Sequence, residues 1–277
     1  MHSIDDLVKI ALAEDIGSGD ITTDLLVDLN APGTGVLVAK ESMVVAGLDV
    51  SESVFRHLDD DIVFNALFKD GDEAVSGDIL ARISGRLRTL LTGERTALNF
   101  LQHLSGIATH VRSCLKILGT GELRLVDTRK TTPGMRLLEK YAVRMGGARN
   151  HRMGLYDGVL IKDNHIAVCG SISSAVKRIR DAAHHLVKIE VEVANLSQVR
   201  EAVDSGADVI MLDNMDVPMI QAALDIIDGN ALVEISGGIN EKNLEHLKDL
   251  GVDIVSSGAL THSARSVDIS MRIEASA

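Results

Sequence analysis

From residue 123 onward the chain repeats one hydrophobic pattern. A short β-branched, apolar run ends in polar residues, and a stretch of helical composition follows. The runs are 123–128, 158–163, 188–193, 209–214, 232–238 and 254–258. Between them lie 135–145, 171–185, 196–205, 218–227 and 241–250. Strands alternating with helices at this spacing read as βαβ units, because parallel neighbours need a crossover long enough to hold a helix. The unbroken apolar stretch Val209-Ile210-Met211-Leu212 suits a strand buried on both faces. The pattern predicts an α/β fold with an open, incomplete β/α barrel of six parallel strands, a full barrel needing eight. A doubly wound open sheet is the structural alternative.

The first hundred residues follow a different pattern. Residues 3–14 read as an amphipathic helix with Ile4, Leu7, Val8 and Leu12 on one side. Residues 36–40 and 43–46 read as short strands about a turn, and 48–58 as a second helix. Gly71, Gly77 and Gly85 punctuate Ala74-Val75 and 79–84, which predicts tight turns between short antiparallel strands. A long helical region covers 87–118, with Gly93 and Gly106 expected to break it. A domain boundary is therefore drawn near residues 105–110. Residues 1–106 form an N-terminal α+β sandwich domain, with the tail 264–277 expected to pack on it, and 107–263 form the barrel domain.

Composition narrows the function. The 277 residues carry 28 Lys+Arg against 40 Asp+Glu, a formal net charge of −12. Such a field repels phosphate polymers, and with aromatics at only 2% stacking platforms are scarce, so neither nucleic acid nor an anionic membrane is expected as a partner. Two cysteines cannot form a disulfide framework or a four-thiolate metal site, and Cys114 and Cys169 stand apart from any HxxxH or CxxC spacing, which speaks against zinc. The start Met1-His2-Ser3-Ile4-Asp5-Asp6 is acidic where a signal peptide is basic, and no apolar run reaches the roughly 18–20 residues of a membrane span. A cytoplasmic protein is the expectation. Against the acidic average, residues 129–162 hold Arg129, Lys130, Arg136, Lys140, Arg144, Arg149, Arg152 and Lys162, with only Glu139 and Asp157 opposing them. This run reads either as a solvated basic face or as a pocket for a multiply charged anion.

In β/α barrels the chemistry gathers at the C-terminal strand ends. Those ends are Asp127-Thr128-Arg129-Lys130, Lys162-Asp163-Asn164-His165, Glu190 and Glu192, Asp213-Asn214, Ser236-Gly237-Gly238 and Ser257-Gly258. The last two place glycine between a strand and a helix start, where backbone N–H groups can approach a phosphate. Neither GxxxxGK[ST] nor GxGxxG occurs, so nucleoside triphosphates and dinucleotides lose support. Glu192 and Asp213 are a carboxylate pair suited to Mg²⁺ together with substrate phosphates. Lys130 and Lys162 are candidates for electrostatic catalysis or proton transfer, or for salt bridges to those acids.

These blocks resemble a known family. Asp127-Thr128-Arg129-Lys130-Thr131-Thr132-Pro133-Gly134, Gly147-Ala148-Arg149-Asn150-His151-Arg152-Met153-Gly154-Leu155 and Ile161-Lys162-Asp163-Asn164-His165 are similar to the quinolinate phosphoribosyltransferases, the decarboxylating nicotinate-nucleotide pyrophosphorylases. So are 13–23, 93–101, 105–109, Glu190-Val191-Glu192-Val193, Leu212-Asp213-Asn214 and 258–262, so the resemblance spans essentially the whole chain. The one soft spot is Ala148 in Gly146-Gly147-Ala148, where the family commonly has a third glycine. The resemblance implies transfer of phosphoribose from 5-phosphoribosyl-1-pyrophosphate to quinolinate, with loss of CO2 and pyrophosphate, on the route to NAD. It also implies a seven-stranded open barrel, the seventh strand lying before Leu123 or being irregular. Mg²⁺ and a homodimer with shared active sites are implied too. By the same resemblance Arg95 (from the partner subunit), Arg129, His151, Arg152 and Lys162 surround the diacid, with Thr128 in the same motif. Lys130 stands near the reacting centre, and Glu192 and Asp213 face the ribose and metal. Ser236, Gly238 and Gly258 hold the 5-phosphate, with His262 close by. A nicotinate-type enzyme that does not decarboxylate and an inactive paralogue acting as a binding module are the alternatives. A lipoyl-type carrier reading of 71–85 lacks a lysine at the hairpin tip, since Lys69 is misplaced for it.

Overall fold

The computed structural model describes residues 4–119 and 121–274, apart from the side chains of Lys242 and Asn243. Ser3, expected to open the first helix, and the last three residues of the expected tail lie outside the described residues. The chain divides into two compact units. One comprises Met1–Arg112, Thr132–Gly147 and Ser263–Ala277, the other Ser113–Thr131 and Ala148–His262.

The first unit opens with helix α1 (Ile4–Ile16) and a short α2 (Ile21–Leu26). The pattern did not announce α2. Its signal is Asp20, whose carboxylate accepts the Thr23 N–H at 3.0 Å and so stops the start from fraying. Strands β1 (Pro32–Ala39), β2 (Met43–Val44), β3 (Val63–Ala66), β4 (Glu73–Ala74) and β5 (Ile79–Arg86) follow, with α3 (Leu48–Leu58) after β2. The expected hairpins do not form. β1 lies between β5 and the C-terminal strand Ile269–Glu274, antiparallel to both, while β2 pairs with β4. Gly71 and Gly77 sit in turns, with φ of +97° and +99°, but Gly85 lies within β5 rather than at a turn, and each strand finds its partner far along the chain. α3 buries Leu48, Val50, Val54 and Phe55, and Asp70 caps it by accepting the Gly47 and Leu48 N–H groups at 2.8 and 3.2 Å.

Helix α4 (Leu87–Leu118) runs 32 residues without a break, contrary to the expectation at Gly93 and Gly106. Both glycines mark close packing. A Cβ at Gly106 would lie 2.1 Å from the Arg265 carbonyl oxygen, and one at Gly93 would lie 2.9 Å from the Phe55 ring. Helix α5 (Arg136–Gly146) joins this unit, and Gly146 brings it against Val111 and Ala108 of α4 in the same way. This placement divides the basic run. Arg136, Lys140 and Arg144 ride on α5, and Lys140 is fully buried.

The second unit holds β6 (Arg124–Val126), β7 (Val159–Ile161), β8 (Ile189–Val193), β9 (Val209–Asp213), β10 (Leu232–Ser236) and β11 (Ile254–Ser256). They form one parallel sheet in the order β6-β11-β10-β9-β8-β7. Apart from the β6–β7 opening, chain neighbours are sheet neighbours, as in a barrel opened between those two edges. A single parallel bridge, Val126 to Arg149, adds to the β6 edge where a seventh strand is implied. Helices α6 (Asp163–Cys169), α7 (Ile172–Ala182), α8 (Leu196–Asp204), α9 (Val217–Ile227), α10 (Glu241–Leu244) and α11 (Ala259–His262) fill the crossovers. The expected helix 241–250 is shorter: α10 passes into the 3₁₀ turn Glu245–Leu247. Ser171, Asn195 and Asp216 each cap the next helix by accepting the N–H three residues on.

Register decides what each sheet face carries. Glu190 pairs with Val209, Glu192 with Met211, Glu234 with Met211 and Ser236 with Asp213. Side chains alternate along a strand, so Glu190, Glu192, Asp213, Glu234 and Ser236 share one face. The opposite face is Val191, Val193, Ile210, Leu212, Val233, Ile235 and Val255, all buried. Burying each such side chain contributes about 1.5–3 kcal/mol. β9 is apolar on both faces up to Asp213, as its run predicts, whereas β8 and β10 put carboxylates on the inner one.

Candidate active site

The strand ends bring their charged groups together on that inner face. Lys162, just past β7, forms an ion pair from its Nζ to Glu192 Oε2 on β8. This is the salt bridge the sequence left open as a role for Lys162. Glu192 and Asp213 are both half-buried, and Asn214 donates from Nδ2 to Asp213 Oδ2 at 3.0 Å. Asn214 has a left-handed backbone, φ +52°, and its N–H donates to the Ser236 carbonyl at 3.0 Å, locking the β9 and β10 ends together.

Two glycine turns follow. Gly237 and Gly238 have φ of +98° and +63°, a region L side chains rarely adopt. Gly237 packs against Asn214, whereas nothing lies within 4 Å of a Cβ placed at Gly238, whose carbonyl accepts from Asn240 Nδ2 at 3.0 Å. Gly258 makes room for two site residues. A Cβ there would lie 2.8 Å from Lys130 Cδ and 3.2 Å from His262 Nε2. Lys130 is tied at both ends of its backbone: its N–H donates to Thr128 Oγ1 at 3.0 Å and its carbonyl accepts from Thr261 Oγ1 at 2.7 Å.

The loop 148–158 supplies the arginine and histidine. Asp127, fully buried at the end of β6, accepts from Asn150 Nδ2 at 2.6 Å and from the His151 N–H at 2.9 Å. The Arg152 guanidinium donates from Nη1 to the Gly158 carbonyl at 2.9 Å. Asp157 accepts the Met153 and Gly154 N–H groups at 2.7 and 2.9 Å, closing the loop on itself. Burial, and next the like charge of Arg129, lower the Arg152 pKa. Two arginines therefore stand within electrostatic reach of each other, an arrangement that a multiply charged anion relieves.

Beneath them lies a layer in which His151 and Glu190, both noted in the sequence, meet Glu234, which was not. His151 Nε2 is 3.0 Å from Glu190 Oε2 and 3.8 Å from Glu234 Oε2. Both carboxylates are buried, and the second oxygen of each has no hydrogen-bond partner among the described residues. Burial and then the Glu190 charge push the Glu234 pKa up to about 7. A signal existed: Glu234 is the one charged residue in Leu232-Val233-Glu234-Ile235-Ser236.

Of the anticipated site residues, Thr128, Arg129, Lys130, His151, Arg152, Lys162, Glu192, Asp213, Ser236, Gly238, Gly258 and His262 all belong to the second unit. Arg95 is exposed on α4 within the first. His103 is paired with Glu139 at 3.0 Å in the first unit. Burial pushes the Cys114 thiol up to about 12, so it is no thiolate nucleophile. Among the described residues no helix is long and apolar enough to cross a membrane.

An open β/α sheet with lysines, acids and glycine turns at its C-terminal strand ends defines an α/β enzyme built for an anionic substrate. Comparison with known proteins sharpens that class. The quinolinate phosphoribosyl transferase C-terminal domain profile matches residues 107–272, and the N-terminal domain profile matches residues 20–105. A probable carboxylating nicotinate-nucleotide pyrophosphorylase of Bacillus subtilis is 46% identical over 260 residues, covering 94% of this chain and 90% of that protein. A relative of the same name from Synechocystis is 44% identical over 273 residues, covering 98% and 92%. The crystal structure of NadC from Streptococcus pyogenes superposes with a TM-score of 0.94 at 46% identity, covering 98% of this chain and 96% of that one. The chain belongs to the quinolinate phosphoribosyltransferase family.

Proposed function

We propose that the strand ends of the second unit, completed by Arg95 of a partner copy, form the site at which this chain performs the family's reaction. The chain is a decarboxylating pentosyltransferase of NAD biosynthesis. It transfers phosphoribose from 5-phosphoribosyl-1-pyrophosphate to the ring nitrogen of quinolinate, giving nicotinate mononucleotide, CO2 and pyrophosphate. The observation that supports the residue assignment is the setting of Arg152: its main chain is held by His151 Nδ1 and its Nη1 by the Gly158 carbonyl, in a partly desolvated site where the like charge of Arg129 also acts on it. Quinolinate has two carboxylates on adjacent ring carbons. Planar arginine forks suit such a flat diacid, and charge-assisted hydrogen bonds contribute about 1.5–3 kcal/mol each.

In this reading Arg95, Arg129, Arg152 and Lys162 bind the diacid, with Thr128 and His151 in the wall of the pocket. Ser236 and the exposed Gly238, where no side chain crowds the approach, receive the 5-phosphate, with Gly258 and His262 beside Lys130. The ring nitrogen attacks C1 of the ribose, and the C1–oxygen bond breaks with its electron pair leaving on pyrophosphate. Positive charge builds on the sugar, and the Glu192 and Asp213 carboxylates stabilise it. Lys130 stabilises the departing pyrophosphate. The ribosylated nitrogen is then cationic, so the adjacent carboxylate leaves as CO2 and its electron pair stays on the ring carbon, which takes up a proton.

Glu192 and Asp213 fit Mg²⁺: they are hard oxygen donors at the ends of neighbouring strands, each partly exposed. When bound with the substrate phosphates, the ion supplies charge neutralisation on the leaving group. A homodimer with shared sites and a cytoplasmic location complete the reading.

The test is to incubate the protein with quinolinate, phosphoribosyl pyrophosphate and Mg²⁺, which should release CO2 and pyrophosphate together. Product from nicotinate with no CO2 from quinolinate would overturn the reading in favour of a non-decarboxylating enzyme. Lys130→Ala should abolish turnover with the circular dichroism spectrum unchanged; near-normal turnover removes Lys130 from the mechanism.

A further inference from the structure

The His151 ring nitrogens both meet protein groups. Nδ1 accepts the backbone N–H of Arg152 at 2.7 Å, so that nitrogen carries a lone pair and the ring proton sits on Nε2. Nε2 in turn faces Glu190 Oε2 at 3.0 Å, with Glu234 Oε2 at 3.8 Å behind it. The His151 main-chain N–H is likewise committed, to Asp127 at 2.9 Å. The side chain is only 15% exposed. A histidine that bound a substrate carboxylate directly would present a ring N–H to the pocket, and here that N–H points to buried acid.

We infer that His151 is a positioning residue: its Nδ1 holds the Arg152 main chain, and Glu190, backed by Glu234, holds its ring in the Nε2–H form. Arg152, not His151, then meets the diacid. The inference rests on the reading of this pocket as the quinolinate site and specifies how one wall of it works. The physical logic is preorganisation. Arg152 must present its fork at a fixed angle, and its backbone is anchored by a side chain that is itself anchored from below. The Gly158 carbonyl that accepts Arg152 Nη1 fixes the other end of the same residue.

Two substitutions separate the roles of the two ring nitrogens. Asparagine places its amide oxygen near the Nδ1 position, whereas glutamine reaches the Nε2 position. His151→Ala should raise KM for quinolinate by about tenfold, the scale of one hydrogen bond, with KM for phosphoribosyl pyrophosphate unchanged. His151→Asn should restore most of that loss and His151→Gln little of it. Rescue by glutamine and not by asparagine would overturn the inference. A second measurement needs no variant to fold beyond one used for assignment. In the unmodified enzyme, ¹⁵N NMR of the His151 ring should show Nε2 protonated and Nδ1 bare, before and after saturation with quinolinate. A proton appearing on Nδ1 when quinolinate binds would overturn it. Arg152→Ala distinguishes this failure from failure of the site itself. If it leaves quinolinate KM unaltered, the pocket assignment falls and the inference with it. If it raises KM, the His151 series tests the inference alone.

Discussion

Glu234 shows how one buried side chain makes the whole fold sensitive to pH. Its carboxyl is held up to about 7 by burial and by the charge of Glu190, against an ordinary value of 4.5. The folded state therefore grips the proton more tightly than the unfolded chain does. That contribution to stability is complete below about pH 4.5 and is lost as pH rises through 7. Glu234→Gln keeps the shape and removes the charge. It should match the unaltered protein at pH 4 and exceed it at pH 8 by on the order of 3 kcal/mol, read from urea midpoints. Equal midpoints at pH 8, or a loss there, would show that Glu234 is not carrying a costly charge. The same residue marks a limit of sequence reading. Charged strand ends stand out against apolar runs, so Lys162, Glu192 and Asp213 were legible. Asp127 and Glu190 were visible as strand-end acids but drew no role, and Glu234 was not selected, because their partners come from other strands and from the loop 148–158.

Helix α4 carries the corresponding lesson at the level of elements. Glycine is a poor helix former, so Gly93 and Gly106 read as breaks. In the fold each instead lets another segment approach, and only the tertiary neighbour reveals this. Gly106→Ala adds helix propensity of about 1 kcal/mol but puts a methyl 2.1 Å from a carbonyl oxygen. The backbone at Arg265 and Ser266 has little room to yield, so a net loss of about 1–3 kcal/mol is expected. Gly93→Ala meets only the Phe55 and Leu58 side chains and should lose less. Thermal melts of the two variants give the order directly, and a more stable Gly106→Ala would contradict the packing account. Strand existence was legible wherever β-branched residues ran together, as in β8 to β11. Strand partners in the first unit were not, because the register of β1 against the C-terminal strand depends on residues more than two hundred positions away.

For the whole molecule the question is whether one copy suffices. Arg95 lies on the first unit and its proposed co-workers on the second. If the site is shared, inactive Arg95→Ala and Lys130→Ala proteins should regain activity when mixed and re-associated. In a heterodimer one of the two sites then inherits both intact residues, so about a quarter of normal activity is expected at equal mixing. No recovery in verified heterodimers would assign Arg95 to its own subunit's site. The acidic average and the basic run also separate at this scale. Arg136, Lys140 and Arg144 go to α5, while Arg129, Lys130, Arg149, Arg152 and Lys162 stay in the second unit with the acids of β8 to β10. The grouping of basic residues at the second unit's strand ends is thus a product of folding, not of one contiguous basic segment.

The strand Ile269–Glu274 has a consequence for how the protein is made. It lies beside β1, which begins at Pro32, so the sheet that contains β1 lacks one edge until residue 274 has been synthesised. The final strand of the second unit ends at Ser256 and emerges earlier. The sheet begun by β1 is therefore completed after the parallel sheet of the second unit, although β1 precedes all of that sheet's strands. During that interval β1 presents an unpaired edge, and a stall or truncation before Ile269 would leave it open to other chains.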